Sequence, residues 1–418
     1  MSNIPINFLI NDDRSIKDLK DKTFSSYKKK DVLNIFQKSI MSDNIEDSCY
    51  WGCELLISGH IQDIWNTLLT IYFKVVNINN PKFIEKIFNR YIFYLKIKKK
   101  YTNQLDFRNN QSIRNYISEI ICILCKSNKS KPIKFPKIDN TQFDIKFLTS
   151  KFTATQNFVK EIIRDNDPQE LNIILNEFYH NLYHKKFEES LYWFNWCLEW
   201  DKINSKKKNK IKLSSRKISG IDSKHCSDLL WIFWEIILDY IKRLKIDFFT
   251  ININYLYKLF KLNYTIINKT KNLWVIVCAI SFLTKSYNLD IKLIDEYKYI
   301  IQATGNINFL FLNFKEHEIC KDPNHFQKLQ VLNSKIIDNK NKLEPKKTKE
   351  QPKSKKTVDN KSCQKFNKLL EIDKVFLSNN SKETITKNNI TQKVVTGFNK
   401  SKQSTASIIK EIDTLTKH

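Results

Sequence analysis

Residues 31–40 read DVLNIFQKSI, and the order of apolar and polar residues in this stretch decides the fold class. The apolar and small residues are three, four, seven and eight positions apart, at Val32, Ile35, Phe36, Ser39 and Ile40. That spacing places them on one face of an α-helix. Similar patterns continue to about residue 312, and no series of alternating strands separated by glycine turns interrupts them. We therefore expect an all-α fold.

The composition excludes several classes of protein. The chain has 418 residues but only 5 glycines, whereas average usage is about 7%, and nucleotide-binding loops need closely spaced glycines. Nine cysteines, an odd number, and the lack of a secretory signal in residues 1–15 indicate reduced thiols in the cytoplasm or nucleus. The longest apolar run, residues 273–283, is too short for a bilayer, which needs about 20 residues. We expect no membrane association.

The formal net charge of +27 is unevenly distributed along the chain. Residues 1–30 form a polar N-terminal segment without a clear period. Residues 335–418 contain 20 lysines against 9 carboxylates, together with many Ser, Thr, Asn and Gln residues. Such a composition buries too little apolar surface to offset the entropy of ordering the chain. We therefore predict a disordered, lysine-rich tail after a folded part.

The folded part repeats a set of landmarks in the same order. The sequence EDSCYW at residues 46–51 returns as EESLYW at residues 188–193, an offset of 142 positions. The next landmarks return as well, Trp65 as Trp231 or Trp234 and Arg114-Asn115 as Lys271-Asn272. We predict two helical bundles related by duplication, residues 31–145 and 146–334, with an insertion at 201–223 in the second. The alternative is a chance similarity between aromatic-rich helices.

Six aromatic side chains of these landmarks are candidate core or interface anchors: Tyr50, Trp51, Tyr192, Trp193, Trp231 and Trp234. Neighbouring residues on a helix point about 100° apart. Both members of a Tyr-Trp pair are therefore buried only if their helix is enclosed on most sides. The apolar residues around each pair predict such enclosure. The alternative is an exposed surface on which nucleic-acid bases stack.

Further motifs surround the Tyr-Trp pair of the first repeat. They are Lys38-Ser39-Ile40, Asp43, Glu46, Gly59, Asn80-Pro81 and Lys126-Ser127-Asn128. Through these motifs residues 31–132 resemble the C-terminal helical domain of clamp-loader-like AAA+ ATPases, the replication-associated recombination protein A and Werner-helicase-interacting protein family. The sequence departs from that family at Met41, where the family has Arg, and at Asp47-Ser48, where it has an alanine pair.

The resemblance implies an interaction role without catalysis. The helical domain serves self-association and collar packing in that family, and this chain has no Walker A loop and no ATPase domain. The chain as a whole also looks similar to uncharacterised helical proteins of large DNA viruses. That second resemblance implies a source, and a place of action in a viral factory or virion, but no activity.

Basic residues concentrate in two places. Residues 201–217 contain eight of them against the single carboxylate of Asp201: Lys202, Lys206, Lys207, Lys208, Lys210, Lys212, Arg216 and Lys217. The tail adds a second group, Lys346, Lys347, Lys353, Lys355 and Lys356. Such a density of charge repels itself unless an anion neutralises it, and nucleic-acid phosphate is the usual anion. We predict DNA or RNA binding here; a solvated loop that reflects A-rich codons is the alternative.

Two short apolar groups interrupt the polar tail at helical spacing. The first comprises Phe366, Leu369 and Leu370, and the second comprises Ile408, Ile409, Ile412 and Leu415. This pattern is typical of a segment that folds in the groove of a partner. Chance spacing is the alternative.

No set of catalytic or metal-binding residues stands out. Cys122 and Cys125 lie in a run of Ile and Leu, so we interpret them as core residues. His180 and His184 share a helix face, but Asn181 replaces the glutamate of the H-E-x-x-H motif. One irregular group lacks a fourth zinc ligand: His317, Cys320 and His325. We therefore expect neither a metal nor a cofactor.

The sequence favours a non-enzymatic helical scaffold or adaptor that associates with DNA or RNA, with a role in replication or recombination. Protein partners or a second copy would bind the helical bundles. The alternative function is a protein-interaction or virion-structural component that makes no direct contact with nucleic acid.

Overall fold

The structure, a computed structural model, describes residues 8–206, 213–264 and 269–319. Within these ranges the chain forms α-helices joined by turns, and the only β-type pairing is one isolated bridge between Lys22 and Lys28. The prediction of an all-α fold is confirmed. No helix among the described residues is long and apolar enough to span a bilayer. The tail predicted at 335–418 lies outside the described residues.

The helices form two groups along the chain. The first group is α1 (Lys29–Met41), α2 (Ile45–Ile57), α3 (Ile61–Ile71), α4 (Phe83–Lys100), α5 (Gln104–Arg108) and α6 (Gln111–Lys126). The second group is α7 (Ile145–Lys151), α8 (Gln169–Tyr183), α9 (Phe187–Lys206), α10 (Leu229–Leu244), α11 (Asp247–Asn263), α12 (Lys269–Thr284) and α13 (Lys298–Phe314). A π-helical turn, Tyr72–Val76, extends α3. The longest connections follow α6, α7 and α9.

The turn between α1 and α2 has the same geometry as the turn between α8 and α9. Asp43 (φ 61°) and Lys185 (φ 55°) both adopt the left-handed backbone conformation. In each turn three successive N–H groups donate back to the preceding helix, and donors and acceptors are 142 positions apart between the two turns. The buried hydroxyls of Ser48 and Ser190 each donate to the carbonyl four residues earlier. The offset of 142 positions in the sequence therefore relates two helix pairs whose connecting turns have the same backbone geometry.

The next landmark is also packed alike in both halves. The indole of Trp65 on α3 contacts the rings of Tyr91 and Tyr94 on α4, with centroids 5.2 and 5.9 Å away. The indole of Trp234 on α10 contacts two rings of α11 that are again three positions apart, at 5.2 and 5.4 Å: Tyr257 and Phe260. In each half a tryptophan thus fixes the third helix of the repeat on the fourth.

Helices on the two sides of the boundary predicted at residue 145 contact each other directly. α13 packs on α2 and α6, and α11 packs on α4. The hydroxyl of Tyr255 on α11 donates to Glu85 on α4 (3.0 Å), and that of Tyr91 donates to Asn263 at the end of α11 (2.6 Å). The described residues accordingly belong to one compact unit.

The N-terminal segment, in which the sequence shows no clear period, is packed into the body from residue 8 onward. Ile10 and Phe24 are buried. The buried carboxylate of Asp12 accepts hydrogen bonds from Arg108 on α5 (2.9 Å) and from Arg14 (2.8 Å). Asp12 and Arg14 of this segment therefore serve internal contacts.

The same segment also binds the end of the helical body. Five hydrogen bonds join the two. The N–H groups of Asn11 and Asp13 donate to Glu318 Oε1 (3.0 Å) and the Ile319 carbonyl (2.9 Å), and Lys315 Nζ donates to the Leu9 carbonyl (2.7 Å). The Arg14 guanidinium donates to the His317 carbonyl (2.9 Å), and the N–H of Ile319 donates to Asp12 (3.2 Å). We call residues 8–14 together with residues 315–319 the clasp. The chain continues into residues 320–418 from this clasp.

Candidate functional site

The lysines predicted to bind nucleic acid at 201–217 lie at the end of α9 and in the connection to α10. Lys202 and Lys206 are exposed on the last turns of α9, and Lys202 pairs with Glu199 (3.0 Å). Lys217 is exposed on the far side of the connection. The other predicted lysines lie outside the described residues: Lys207, Lys208, Lys210, Lys212, Lys346, Lys347, Lys353, Lys355 and Lys356.

Arg216 has a different environment from these lysines. Its guanidinium is 1% exposed and donates to both carboxylate oxygens of Asp167, at 2.8 and 2.6 Å, and to Glu235 (2.9 Å). Such bidentate pairs are among the strongest hydrogen-bonded contacts in proteins. The guanidinium is thus occupied by carboxylates of the protein itself. Arg216 is therefore removed from the set of phosphate-binding residues.

The Asp167–Arg216 pair fixes one end of the lysine-rich connection. Burial would raise the pKa of the Asp167 carboxyl, but hydrogen bonds from Arg216 and from the N–H groups of Arg164 and Ser214 hold that pKa below its ordinary value. Burial would lower the pKa of Arg216, but its hydrogen bonds to Asp167 and Glu235 raise it. Both groups therefore stay charged at neutral pH. The connection is held at Arg216 on one side and by α9 on the other.

A second lysine-rich connection, which the sequence patterns above do not include, follows α6. Residues 126–137 read KSNKSKPIKFPK and contain five lysines and no carboxylate. We call these residues the lysine strap. Four of its lysines are exposed: Lys126, Lys131, Lys134 and Lys137. A count of charge over short windows would have found the strap, because its net charge per residue is close to that of residues 201–217.

The strap has no regular secondary structure after Lys126, yet hydrogen bonds hold it against the body. The N–H groups of Ser130 and Ile133 donate to the carbonyls of Val75 (3.1 Å) and Lys74 (3.2 Å) in the π-helical turn. Lys129 pairs with Asp43 in the turn between α1 and α2. The remaining lysines of the strap project from a backbone whose position is fixed.

The strap also crosses α9, the helix that carries Lys202 and Lys206. The side chain of Asn195, in the middle of α9, donates to the carbonyl of Pro136 (2.8 Å). Eleven residues separate Asn195 from the end of α9, a distance of about 16 Å at 1.5 Å per residue. The strap and the end of α9 thus lie within reach of one stretch of polyanion.

The predicted aromatic anchors fall into two groups. Trp193, Trp231 and Trp234 are buried, and the indole N–H of Trp231 donates to the carbonyl of His225 (2.9 Å). The others are half-buried: Tyr50, Trp51 and Tyr192. The enclosure that the sequence predicts for the Trp51 side of α2 is incomplete, because its indole packs edge-on against Tyr27 (5.7 Å), which is itself exposed.

The cysteine and histidine pairs show no reactive centre among the described residues. Cys122 and Cys125 are fully buried, and burial raises the pKa of their thiols to about 12 and about 11. Their interpretation as core residues is confirmed. The rings of His180 and His184 lie 4.3 Å apart. No group of three or more possible metal ligands occurs in the ranges that the structure describes.

The exposed lysines of the strap and of α9, together with Lys217, are thus attached either to a packed helix or to a connection that hydrogen bonds hold against the body. Surfaces of this kind attract polyanions through their summed charge. Known proteins add nothing to this description. No family model matches the chain, and no curated protein or solved structure is similar to it.

Proposed function

We propose that the protein is a non-enzymatic helical scaffold that binds the phosphate backbone of DNA or RNA. The observation that carries the proposal is that two lysine-rich connections meet α9, the strap at Asn195 and the other at the end of the helix, and that the described part of each is anchored to the body. The strap contributes Lys131, Lys134 and Lys137, and the connection after α9 begins with the exposed Lys206. On this proposal the protein acts in the cytoplasm or the nucleus.

Anchoring favours binding because a fixed backbone loses less conformational freedom when its lysines meet phosphates. Exposed lysines recur every third residue of the strap, while Ile133 and Phe135 between them are partly covered by the body. Each phosphate that they neutralise releases counterions, and this release makes the affinity depend on salt but not on sequence. We therefore expect non-specific binding.

A role in replication or recombination, and self-association through the helices, extend this proposal. Both rest on the resemblance of residues 31–132 to the collar domain of the clamp-loader-like ATPases. The helical body supplies packed surfaces for such partners, and the lysines would hold the assembly on nucleic acid.

The test is the salt dependence of binding by the full-length chain. The variant Lys131→Gln/Lys134→Gln/Lys137→Gln removes three charges of the strap. We expect this variant to bind a labelled 30-mer duplex more weakly, with a slope of log K against log salt that is smaller by about 0.9 for each phosphate no longer neutralised. Fluorescence anisotropy between low and physiological salt measures both quantities.

The matched control is Lys17→Gln/Lys20→Gln/Lys22→Gln, which removes the same charge from exposed positions of the N-terminal segment. We expect it to change the slope less than the strap variant does. Equal slopes for the two variants would contradict the assignment of the strap. An affinity of the unmodified chain that is flat in salt would contradict nucleic-acid binding altogether and would favour a protein-interaction component.

A further inference from the structure

The second half of α9 carries a column of three aromatic rings. The indole of Trp196 is buried, its centroid lies 4.9 Å from that of Phe143, and its N–H donates to the carbonyl of Gln142 (3.0 Å). One turn further along α9, the indole of Trp200 is almost parallel to that of Trp196, with centroids 6.2 Å apart and ring planes inclined by 18°. We call Phe143, Trp196 and Trp200 the aromatic column. The buried ring of Trp196 thus fixes the orientation of Trp200.

Trp200 ends the column and has fewer ring and cation contacts than Trp274, which is half-buried as well. The indole of Trp274 is covered by Lys74 Nζ, 3.9 Å from its centroid, and by the ring of Phe135 at 4.8 Å. In the part of the chain that the structure describes, Trp200 has one ring contact, with Trp196, and no cation lies over it. A parallel neighbour covers only one of the two faces of an indole. The column therefore ends in a face to which a further ring can be added.

The two carboxylates next to Trp200 in the sequence each have a lysine partner. Glu199 pairs with Lys202 (3.0 Å), and Asp201 lies 3.5 Å from the ammonium group of Lys269. Their negative charge is thus partly offset by the protein itself. A phosphate that approaches Trp200 is repelled less than it would be by free carboxylates.

Two exposed lysines on either side of Trp200 along α9 have no ion pair among the described residues. Lys206 follows Trp200 by six positions, about 9 Å at 1.5 Å per residue. Lys137 belongs to the strap and follows Pro136, whose carbonyl accepts the hydrogen bond from Asn195. A nucleic-acid strand whose phosphates contact both lysines therefore runs along the part of α9 that carries the aromatic column.

An aromatic face beside lysines distinguishes single strands from duplexes, which lysines alone do not. In a duplex the faces of most bases are covered by the neighbouring base pairs, whereas a single strand exposes them. Proteins that bind single strands combine a positively charged surface with aromatic side chains on which bases stack. The surface around Trp200 has both components.

We propose that the protein prefers single-stranded DNA or RNA and that a base of the strand stacks on Trp200. This inference rests on the phosphate binding proposed above, and it names the form of nucleic acid that the lysines hold. Lys137 and Lys206 neutralise phosphates on the two sides of the stacked base. Every base has a flat π-face, so stacking adds affinity without sequence specificity.

The test compares two strands, a labelled thymidine 30-mer and an abasic 30-mer that has the same phosphates but no bases. By fluorescence anisotropy at physiological salt, we expect the unmodified full-length chain to bind the thymidine strand about tenfold more tightly than the abasic strand, a difference of about 1.4 kcal/mol. It should also bind the thymidine strand more tightly than a duplex of the same length. Trp200→Leu should bind both strands equally. The control Trp51→Leu removes a half-buried indole outside the column and should keep the tenfold difference.

Photo-crosslinking provides a second measurement that needs no variant. A strand with iodouracil in place of thymine reacts under ultraviolet light with an aromatic side chain stacked on the base. We expect mass spectrometry of the unmodified chain to locate the product at Trp200.

Four results would overturn the proposal: equal affinities of the unmodified chain for the thymidine and abasic strands, tighter binding of the duplex, a tenfold difference that persists in Trp200→Leu, or iodouracil products without Trp200. Each of these leaves phosphate binding in place if the affinities still fall with salt. A chain that binds neither strand nor duplex at low salt would overturn the proposed function, and this inference with it.

Discussion

The helix pairs α1–α2 and α8–α9 are built alike, but the tryptophan on the second helix of each has different surroundings. Trp193 is 2% exposed and lies parallel to the ring of Phe152, with centroids 5.9 Å apart. Trp51 is half-buried and meets Tyr27 edge-on. Tyr27 precedes α1 and Phe152 precedes α8, so both partner rings come from segments outside the two equivalent helix pairs. The repeat therefore determines how the helices pair, while the flanking segments determine how far their outer sides are buried.

Each half also contains one buried aspartate–arginine pair, and the two pairs differ in the number of carboxylates that contact the arginine. Arg216 contacts Glu235 in addition to Asp167. Arg108 contacts Asp12, and among the described residues it pairs with no second carboxylate. The loss of the aspartate should therefore affect the two halves unequally.

The largest expected effect is the loss of the carboxylate in the first half. Asp12→Asn leaves the buried guanidinium of Arg108 without a counter-ion, and we expect a loss of about 3–5 kcal/mol in the free energy of unfolding. Asp167→Asn leaves Glu235 beside Arg216, so we expect about 2 kcal/mol. Urea unfolding of the full-length variants measures both values. Glu199→Gln removes an exposed pair as the control and should cost less than about 1 kcal/mol. Equal losses at Asp12 and Asp167 would show that Glu235 does not compensate.

The next effect compares the two tryptophans. Trp193→Ala should lower the free energy of unfolding by about 3–5 kcal/mol, because it opens a cavity in the core. Trp51→Ala should cost about half as much, since part of its indole is already in water and transfer energy scales with the area buried. The same urea titrations give these values. A Trp51→Ala loss as large as that of Trp193→Ala would mean that α2 is enclosed after all.

A smaller effect per residue concerns two buried thiols of the first half. Burial raises the pKa of Cys53 and of Cys122 to about 12, from an ordinary value of 9.0. The folded state therefore holds these protons more firmly than the unfolded state. The contribution to stability is complete below pH 9 and is lost as the pH rises toward 12.

Each such thiol should cost about 1.4 kcal/mol of stability between pH 8 and pH 10. The variant Cys122→Ala lacks one of them, so its stability should fall by about 1.4 kcal/mol less than that of the unmodified chain over the same interval. Unfolding curves of both proteins at pH 8, 9 and 10 provide the comparison. An identical decline in the two proteins would mean that Cys122 does not take part in alkaline destabilisation.

The smallest effect concerns the two equivalent turns. A left-handed backbone conformation costs a residue with a Cβ about 1–2 kcal/mol, and glycine avoids this cost at some expense in chain entropy. Lys185→Gly should therefore raise the free energy of unfolding by about 0.5–1 kcal/mol. Asp43→Gly should gain less, because it also removes the ion pair with Lys129. A larger gain at Asp43 than at Lys185 would show that this ion pair contributes nothing.

Local features of the fold can be predicted from the sequence, because they depend on residues close together in the chain. The helical period of residues 31–40 and the offset of 142 positions indicate the fold class and the equivalence of the two turns. Cys122 and Cys125 are recognisable as core residues from the apolar run around them. The structure confirms the fold class and the burial of these two cysteines.

The environments of individual side chains at the candidate site depend on contacts between residues that are distant in the sequence. In the sequence Arg216 is one more basic residue of a lysine-rich segment, and its true partner, Asp167, is 49 positions away. The half-exposure of Trp51 depends on a segment that precedes the repeat. The strap is a different case, because a count of charge over short windows would have found its five lysines in the sequence. Its anchoring to residues 74 and 75 becomes visible only in the structure.

The clasp has a consequence for the order of events during synthesis. Glu318 is made 307 positions after its partner Asn11. A ribosome that adds about 5–20 residues per second needs roughly 15–60 seconds to cover that distance. Ile10 can pair with Asn109 earlier, but the hydrogen bonds from residues 8–14 to residues 315–319 must wait through this interval. Meanwhile α1, α2 and their successors already pair with near neighbours. Closure of the clasp is thus the last step in the assembly of the body on the ribosome.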